Sequence, residues 1–169
     1  MSDGVVTRRI ALRGPLDLPA TLGPLVHGRG DRTIHVTRDE AWLAFRTVDG
    51  PASLRIQLDA PARATVTAWG GGAEVAAHQS PEIIGEFDDP SALVAHHPVI
   101  RDLQRRHPGL RLPRTGRVFA ALVPSILEQK VTGTEAFRSY AALLRAHGEP
   151  APGPASLVLP PTPATLAAR

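Results

Sequence analysis

A strict alternation of apolar and polar side chains in the first half of the chain constrains its fold more than any other feature. Over residues 53–58, Leu54, Ile56 and Leu58 alternate with polar residues, so an extended strand places the three apolar side chains on one face. Related patterns predict further strands over 5–12, 33–37, 41–48, 64–69 and 73–77. We expect a mostly antiparallel sheet, whose apolar face needs another layer to cover it.

Glycine and proline interrupt these patterns. Gly70, Gly71 and Gly72 lie between two of the predicted strands and indicate a hairpin turn, because glycine adopts positive φ without strain. Residues 18–26 favour either a short helix or an extended connection, since they contain Gly23 and Pro24. The first half is therefore predicted to hold one or two helices at most.

The second half has the apolar spacing of helices. Helices are predicted over 91–96, 99–106, 116–131 and 135–147. In the third of these, Val118, Leu122 and Ile126 lie close to one apolar stripe. Pro124 is expected to bend that helix because it removes one backbone donor.

Hydroxyl side chains mark the expected helix starts. Thr115 is predicted to cap the third of these helices and Thr134 the fourth. An irregular, proline-rich tail over 150–161 should follow. Thr162 and Pro163 then predict the start of a last helix.

The charge of the chain is uneven. Residues 1–90 hold nine arginines against twelve acidic residues, net −3, whereas residues 91–169 hold ten basic residues against four acidic ones, net +6. A basic half suits a polyanionic partner, because Arg and Lys near phosphates release condensed counterions. An ordinary solvated basic surface has the same composition, so charge alone leaves both interpretations open.

Residue types that are missing or badly spaced exclude several classes of protein. The sequence has no cysteine, which rules out disulfides and thiolate metal sites. No apolar run approaches the roughly 20 residues of a membrane span, and the first residues lack the pattern of a secretory signal. His96, His97 and His107 do not have the spacing of metal ligands on a helix. We expect a cytoplasmic bacterial protein with no metal, no cofactor and no membrane partner.

Two motifs carry most of the information about function. Arg114-Thr115-Gly116 precedes Val118 and Phe119, and residues 126–132 read Ile-Leu-Glu-Gln-Lys-Val-Thr. In this order, and after a strand-rich half, they resemble the catalytic-domain entry and the Ile-Leu-x-Gln-Gln-Val-Ser segment of the AlkA-like 3-methyladenine DNA glycosylase II family. That family belongs to the helix-hairpin-helix DNA glycosylase superfamily.

The chain departs from the family pattern at three positions of the second motif. Glu128 stands where glycine is common, Lys130 where the family has its second Gln, and Thr132 where it has Ser. These differences put the details of DNA contact in doubt more than they affect the fold.

The resemblance implies a two-part α+β fold. Residues 1–88 would form an antiparallel sheet domain like the family's TATA-binding-protein-like domain. Residues 89–169 would form the first helices of an incomplete all-α glycosylase domain. The helix-hairpin-helix and the catalytic aspartate of the family would lie beyond Arg169, so no residue here is assigned a catalytic role and exposed apolar helix faces are expected.

The resemblance also implies a function, which is base-excision repair of alkylated DNA by hydrolysis of the N-glycosidic bond. The partner would be double-stranded DNA with alkylated bases, bound by a protein that is a monomer at full length. The chain alone is predicted to be inactive. Two other classes remain open: a non-catalytic DNA-binding or regulatory module derived from a glycosylase, and a sheet domain that binds a protein partner.

Five residues are candidates for contact with DNA or a base: Arg114, Thr115, Gln129, Lys130 and Thr132. The amide of Gln129 both donates and accepts hydrogen bonds, which suits a base edge or the backbone but equally a loop at a helix end. Lys130 is expected to contact a phosphate or to be solvated. Thr132 could contact a phosphate, although capping of the turn at Gly133 is the preferred interpretation. Arg111 and Arg117 would join Arg114 either on the DNA side or on a solvated face.

Overall fold

The computed structural model describes residues 4–168, and its first layer is a five-stranded antiparallel sheet. The strands are β1 (Val5–Ala11), β2 (Ile34–Val36), β3 (Glu40–Thr47), β4 (Gly50–Ala60) and β5 (Arg63–Trp69). Their spatial order is β1-β5-β4-β3-β2. Most of the alternation predicted for β4 is observed, since Leu54 and Ile56 are fully buried while Gln57 is exposed; Ser53, expected on the polar face, is however also fully buried.

Two helices cover the apolar face of the sheet. Helix α1 (Leu18–Leu22) continues into a short 3₁₀ helix, Gly23–Leu25, and α2 (Ala73–Ile83) lies across β1, β4 and β5. The main core lies between these helices and the inner side chains of the sheet. Burial of this apolar surface is the dominant stabilising contribution, at roughly 25 cal/mol per Å² removed from water.

The strand predicted over residues 73–77 is wrong, because this segment is the first half of α2. Ala73, Ala76 and Ala77 are buried at helical spacing, and alanine has the highest helix propensity of any residue. The three glycines before the helix carry the chain off the sheet rather than into a hairpin. A side chain at Gly72 would collide with the hydroxyl of Thr47.

The proline-rich segment is mostly irregular, as expected, but it packs against the sheet. It forms β6 (Glu149–Pro150) and β7 (Val158–Leu159), which pair with each other and pack on the outer face of the sheet. Trp42 and Trp69 stack on that face with ring centroids 5.2 Å apart. Gly153 lies directly over Trp69, so both indoles serve in packing.

The remaining helices are α3 (Pro98–Arg106), α4 (Val118–Leu127), α5 (Gly133–His147) and α6 (Pro163–Ala167). The last begins as predicted, with the Thr162 hydroxyl accepting from the amide of Thr165. The helix predicted over 91–96 is wrong, since only a 3₁₀ helix, Pro90–Ala92, forms there.

Two predicted helix starts also differ from the structure. Thr115 does not cap α4, because Gly116 has φ +66° and the helix begins only at Val118. Helix α5 begins before Thr134, and its N-cap is Thr132. Left-handed backbone at Gly116 is incompatible with a right-handed helix, which explains the first difference.

A buried ion pair joins the segment before α4 to the sheet domain. The Arg111 guanidinium donates to the Glu86 carboxylate at 2.6 Å, and their side chains are 6% and 12% exposed. Arg111 also donates to the carbonyl oxygens of Gly14 and Pro15, and its amide donates to the Thr21 hydroxyl. This network fixes the path of the chain between α3 and α4.

The two helices on either side of this segment leave large apolar side chains at the surface, as the resemblance implied. No residue of α3 is buried, and in α4 only Pro124 is. The exposed apolar residues of these helices are Val99, Ile100, Leu103, Val118, Leu122 and Ile126. Exposed apolar side chains of this kind are typical of a face that contacts another element or molecule.

Candidate nucleic-acid interface

The five predicted contact residues fall into two groups at opposite ends of α4. Arg114 and Thr115 precede the helix, whereas Gln129, Lys130 and Thr132 follow it. A helix of 10 residues spans about 15 Å, so the two groups do not form one compact cluster. A single partner would have to contact both ends of α4 to engage all five.

Of the three arginines near the start of α4, only Arg114 is exposed. Its backbone amide donates to the carbonyl oxygen of Glu82 at 2.9 Å, which anchors the chain while the guanidinium faces solvent. Arg111 is buried in its ion pair, so neither alternative considered for it, a DNA-facing or a solvated surface, is correct.

Arg117 is also turned inward, which contradicts both alternatives for this residue. Its guanidinium carbon lies 3.4 Å from the centroid of the Phe45 ring, and its donors reach Gln79 and the carbonyl oxygen of Thr115. Burial lowers the pKa of Arg117 to about 10, which leaves it charged at neutral pH. The residue therefore joins the start of α4 to β3 and α2.

A cavity of about 250 Å³ lies between β2, β3 and α4. Its walls are mostly apolar, with Ile34, Leu43 and Phe45 on the sheet side. Polar side chains also line it: His27, Thr33, Thr115, Arg117, Ser125 and Tyr140. An apolar cavity with a few polar groups is the usual form of a small-ligand site.

The turn between α4 and α5 exposes the residues of the second motif. Gln129 and Lys130 are both exposed, and Lys130 has φ +59°. It is the one non-glycine with positive φ within residues 4–168. Left-handed backbone costs an L-residue about 1–2 kcal/mol, and strain of this kind is concentrated at functional sites.

Thr132 caps α5, as preferred from the sequence. Its hydroxyl accepts from the amide of Glu135, whose carboxylate in turn accepts from the Thr132 amide at 3.0 Å. These hydrogen bonds to the backbone and hydroxyl of Thr132 lower the pKa of Glu135. Because the capping box already places a carboxylate at this helix end, a second anion is disfavoured there.

Sequence reasoning missed one pair that joins this turn to the sheet domain. Nδ1 of His27 lies 3.0 Å from Oε1 of Glu128, although the residues are 101 positions apart. The His27 ring also packs edge-on against Tyr140 of α5, with centroids 5.3 Å apart. The only sequence signal was Glu128 itself, which stands where the resembled family commonly has glycine.

Within residues 4–168, no group of three or more His, Asp or Glu side chains could hold a metal ion. None of the described helices is long and apolar enough to cross a membrane.

The sheet, the two covering helices and the following α-helices together form an α+β fold that is also found in solved DNA glycosylase structures. A 3-methyladenine DNA glycosylase from Archaeoglobus fulgidus matches 95% of this chain at a TM-score of 0.78 and 15% identity, and the match covers 58% of that protein. The structure of MBOgg1 in complex with a low-affinity DNA ligand matches 100% of the chain at a TM-score of 0.69 and 14% identity, with 57% of that protein covered. No family model and no curated protein matches the sequence.

These likenesses confirm the predicted α+β fold and its glycosylase-like architecture. The chain spans a little under three fifths of each of the two structures. At these identities the similarity shows the fold, and the chemistry has to be argued from the residues of this chain.

Proposed function

We propose that this protein works in base-excision repair, as part of a glycosylase-like protein that acts on alkylated bases in double-stranded DNA. The observation that carries the proposal is that its whole described fold matches a 3-methyladenine DNA glycosylase and a DNA-bound Ogg1 structure. In addition, the positively charged Lys130 is held in strained backbone on an exposed turn.

In the proposed complex the two ends of α4 contact the DNA backbone. Arg114 and Lys130 supply positive charge for phosphates, and the Gln129 amide offers a donor and an acceptor. The two cations are separated by the length of α4, about 15 Å, so they would contact different phosphates along one duplex. Thr115 and Thr132 support this surface, Thr115 through Arg117 and Thr132 through the cap of α5.

No residue of this chain is proposed as catalytic. Two carboxylates lie beside the cavity, and each is already engaged. Asp31 accepts from the amide of His27 and from the amide and hydroxyl of Thr33, while Glu128 is paired with His27. A carboxylate that stabilises a cation-like sugar needs to face the substrate, so these two are better suited to a structural role.

The match to the two solved glycosylase structures also favours a second candidate, a non-catalytic DNA-binding module with a glycosylase fold. The two candidates differ in whether the protein cleaves the N-glycosidic bond. Both are proposed to act in the cytoplasm, and the first as a monomer.

The test is DNA binding and base release measured on the same protein. Fluorescence anisotropy with labelled duplexes, with and without an alkylated base, should show binding that weakens as salt rises. Lys130→Ala and Arg114→Ala should each reduce the salt dependence by about one counterion, whereas the exposed Arg9→Ala on β1 should not change it. Salt-independent binding, or none, would contradict the proposal, and release of the alkylated base by this chain would exclude the module.

A further inference from the structure

The α4–α5 turn is joined to the sheet domain by one side-chain hydrogen bond among the described residues. This bond is the 3.0 Å contact between Nδ1 of His27 and Oε1 of Glu128. The other hydrogen bonds of this segment are local, since the amide of Gln129 donates to Ile126 and Thr132 is paired with Glu135. The position of the turn relative to the sheet therefore depends strongly on this pair.

Apolar packing does little to hold the turn in place. Helix α4 buries only Pro124, and Ile126 and Val131 next to the turn are about half exposed, at 53% and 48%. Lys130 adds backbone strain, which favours rearrangement of the turn unless other contacts oppose it. A segment with few buried contacts opens at low free energy, so one additional hydrogen bond changes its population noticeably.

His27, by contrast, is held firmly. Its amide donates to the Asp31 carboxylate at 3.0 Å, and its ring packs edge-on against Tyr140. The histidine side chain is 21% exposed, and that of Glu128 is 42% exposed. The ring can donate from Nδ1 both as the neutral Nδ1–H tautomer and as the cation, so it is a fixed donor for the turn.

We propose that His27 and Glu128 are positioning residues that hold the α4–α5 turn in the geometry with which Gln129 and Lys130 contact a DNA backbone. The inference rests on the proposed function for its DNA partner. Glu128 repels phosphate by charge, so its part is to accept the hydrogen bond from His27 and not to touch DNA.

The experiment uses two pairs of matched variants. Glu128→Gln and Glu128→Ala both remove the negative charge, but only the glutamine keeps an oxygen acceptor for His27. His27→Asn keeps a donor near the position of Nδ1, and His27→Ala does not. Glu128 is partly exposed, so its variants are expected to fold, and far-UV circular dichroism checks all four.

Amide hydrogen exchange measures the turn directly. Loss of a hydrogen bond that contributes about 0.5–1.5 kcal/mol raises the equilibrium constant for local opening roughly two- to tenfold. Exchange of the Gln129 amide, which donates to the Ile126 carbonyl oxygen, should therefore rise two- to tenfold in each alanine variant and stay near the parent in Glu128→Gln and His27→Asn. The double alanine variant should exchange no faster than either single one, because both remove the same bond.

DNA affinity measures the consequence for binding, by anisotropy with a labelled duplex at one fixed salt concentration. Glu128→Ala should bind several-fold more weakly than Glu128→Gln, although both carry the same charge, and His27→Ala more weakly than His27→Asn. Equal affinity and equal exchange within each pair would overturn the inference. If no variant binds DNA while the exchange difference persists, the proposed function and the positioning role in DNA binding both fail, and only a structural contact remains.

Discussion

Replacement of Arg111 by methionine tests how the buried ion pair contributes to the fold. The pair is almost fully removed from solvent, with side chains 6% and 12% exposed. Methionine preserves much of the side-chain volume but leaves Glu86 without its guanidinium, and the carbonyl oxygens of Gly14 and Pro15 without a donor. The remaining charged neighbour of Glu86 is Arg13, whose Nε lies 3.9 Å away on a largely exposed side chain.

The expected cost is about 3–5 kcal/mol of unfolding free energy, the range for breaking one half of a buried pair. This is a large share of the 5–15 kcal/mol typical of a whole domain. Most of the loss comes from the carboxylate, which stays buried with only the amide of Arg13 and its more distant guanidinium as partners. The double variant Glu86→Gln with Arg111→Met should therefore lose clearly less than the two single changes added together.

Urea denaturation followed by circular dichroism gives these free energies. The matched control is Asp102→Asn, which breaks the 2.7 Å ion pair with Arg106 on the exposed surface of α3. Exposed pairs contribute about 0–1 kcal/mol, so this variant should unfold close to the parent. If Arg111→Met costs no more than Asp102→Asn, the argument that burial makes this pair critical is incorrect.

Three further predictions concern single residues. Burial, together with the charge of Asp31, raises the pKa of Tyr140 to about 12, so the absorbance titration of this sole tyrosine should have its midpoint there, and an unshifted midpoint would contradict this. Between pH 10 and 12 this residue ionises only in the unfolded chain, so the unfolding free energy of the parent should fall relative to that of Tyr140→Phe. The comparison with Tyr140→Phe is needed because the lowered pKa of Arg117 acts in the opposite direction over the same pH range. Thr132→Ala should lower the unfolding free energy, measured in urea at pH 7, by about 1 kcal/mol. This loss should shrink as acid protonates Glu135, whose pKa the cap lowers. A loss that does not change with pH would exclude the capping box as its source. The Lys130→Gly protein should be about 1 kcal/mol more stable to unfolding than the Lys130→Ala protein, because only alanine keeps the left-handed strain at φ +59°. Equal urea midpoints for the two variants would show that this backbone is unstrained.

Local patterns in the sequence were sufficient for several elements. Strands β1, β3 and β5 lie within a residue or two of the predictions, because alternation along a strand reports directly which face is buried. The cap at Thr162 was found for the same reason, since a hydroxyl followed by proline acts only on its own helix turn.

Other local signals had two interpretations, and the wrong one was chosen. Three glycines suggested a hairpin, but the following alanines bury at helical spacing against the sheet, which makes α2. Thr115 had the chemistry of a cap, yet Gly116 adopts a left-handed backbone that delays α4 by two residues. In both cases packing against distant residues decided between two locally acceptable conformations.

The sequence by itself determined the sheet-then-helix order, the basic character of the second half and the motif around Gln129 that indicated a glycosylase-like fold. Only the tertiary structure decided which charged residues are exposed. Arg111 and Arg117 are removed from the surface by Glu86, Phe45 and Gln79, while Glu128 is joined to His27 across 101 positions. A side chain's charge follows from its own chemistry, but its exposure and its hydrogen-bond partner depend on residues that only folding brings within a few ångströms.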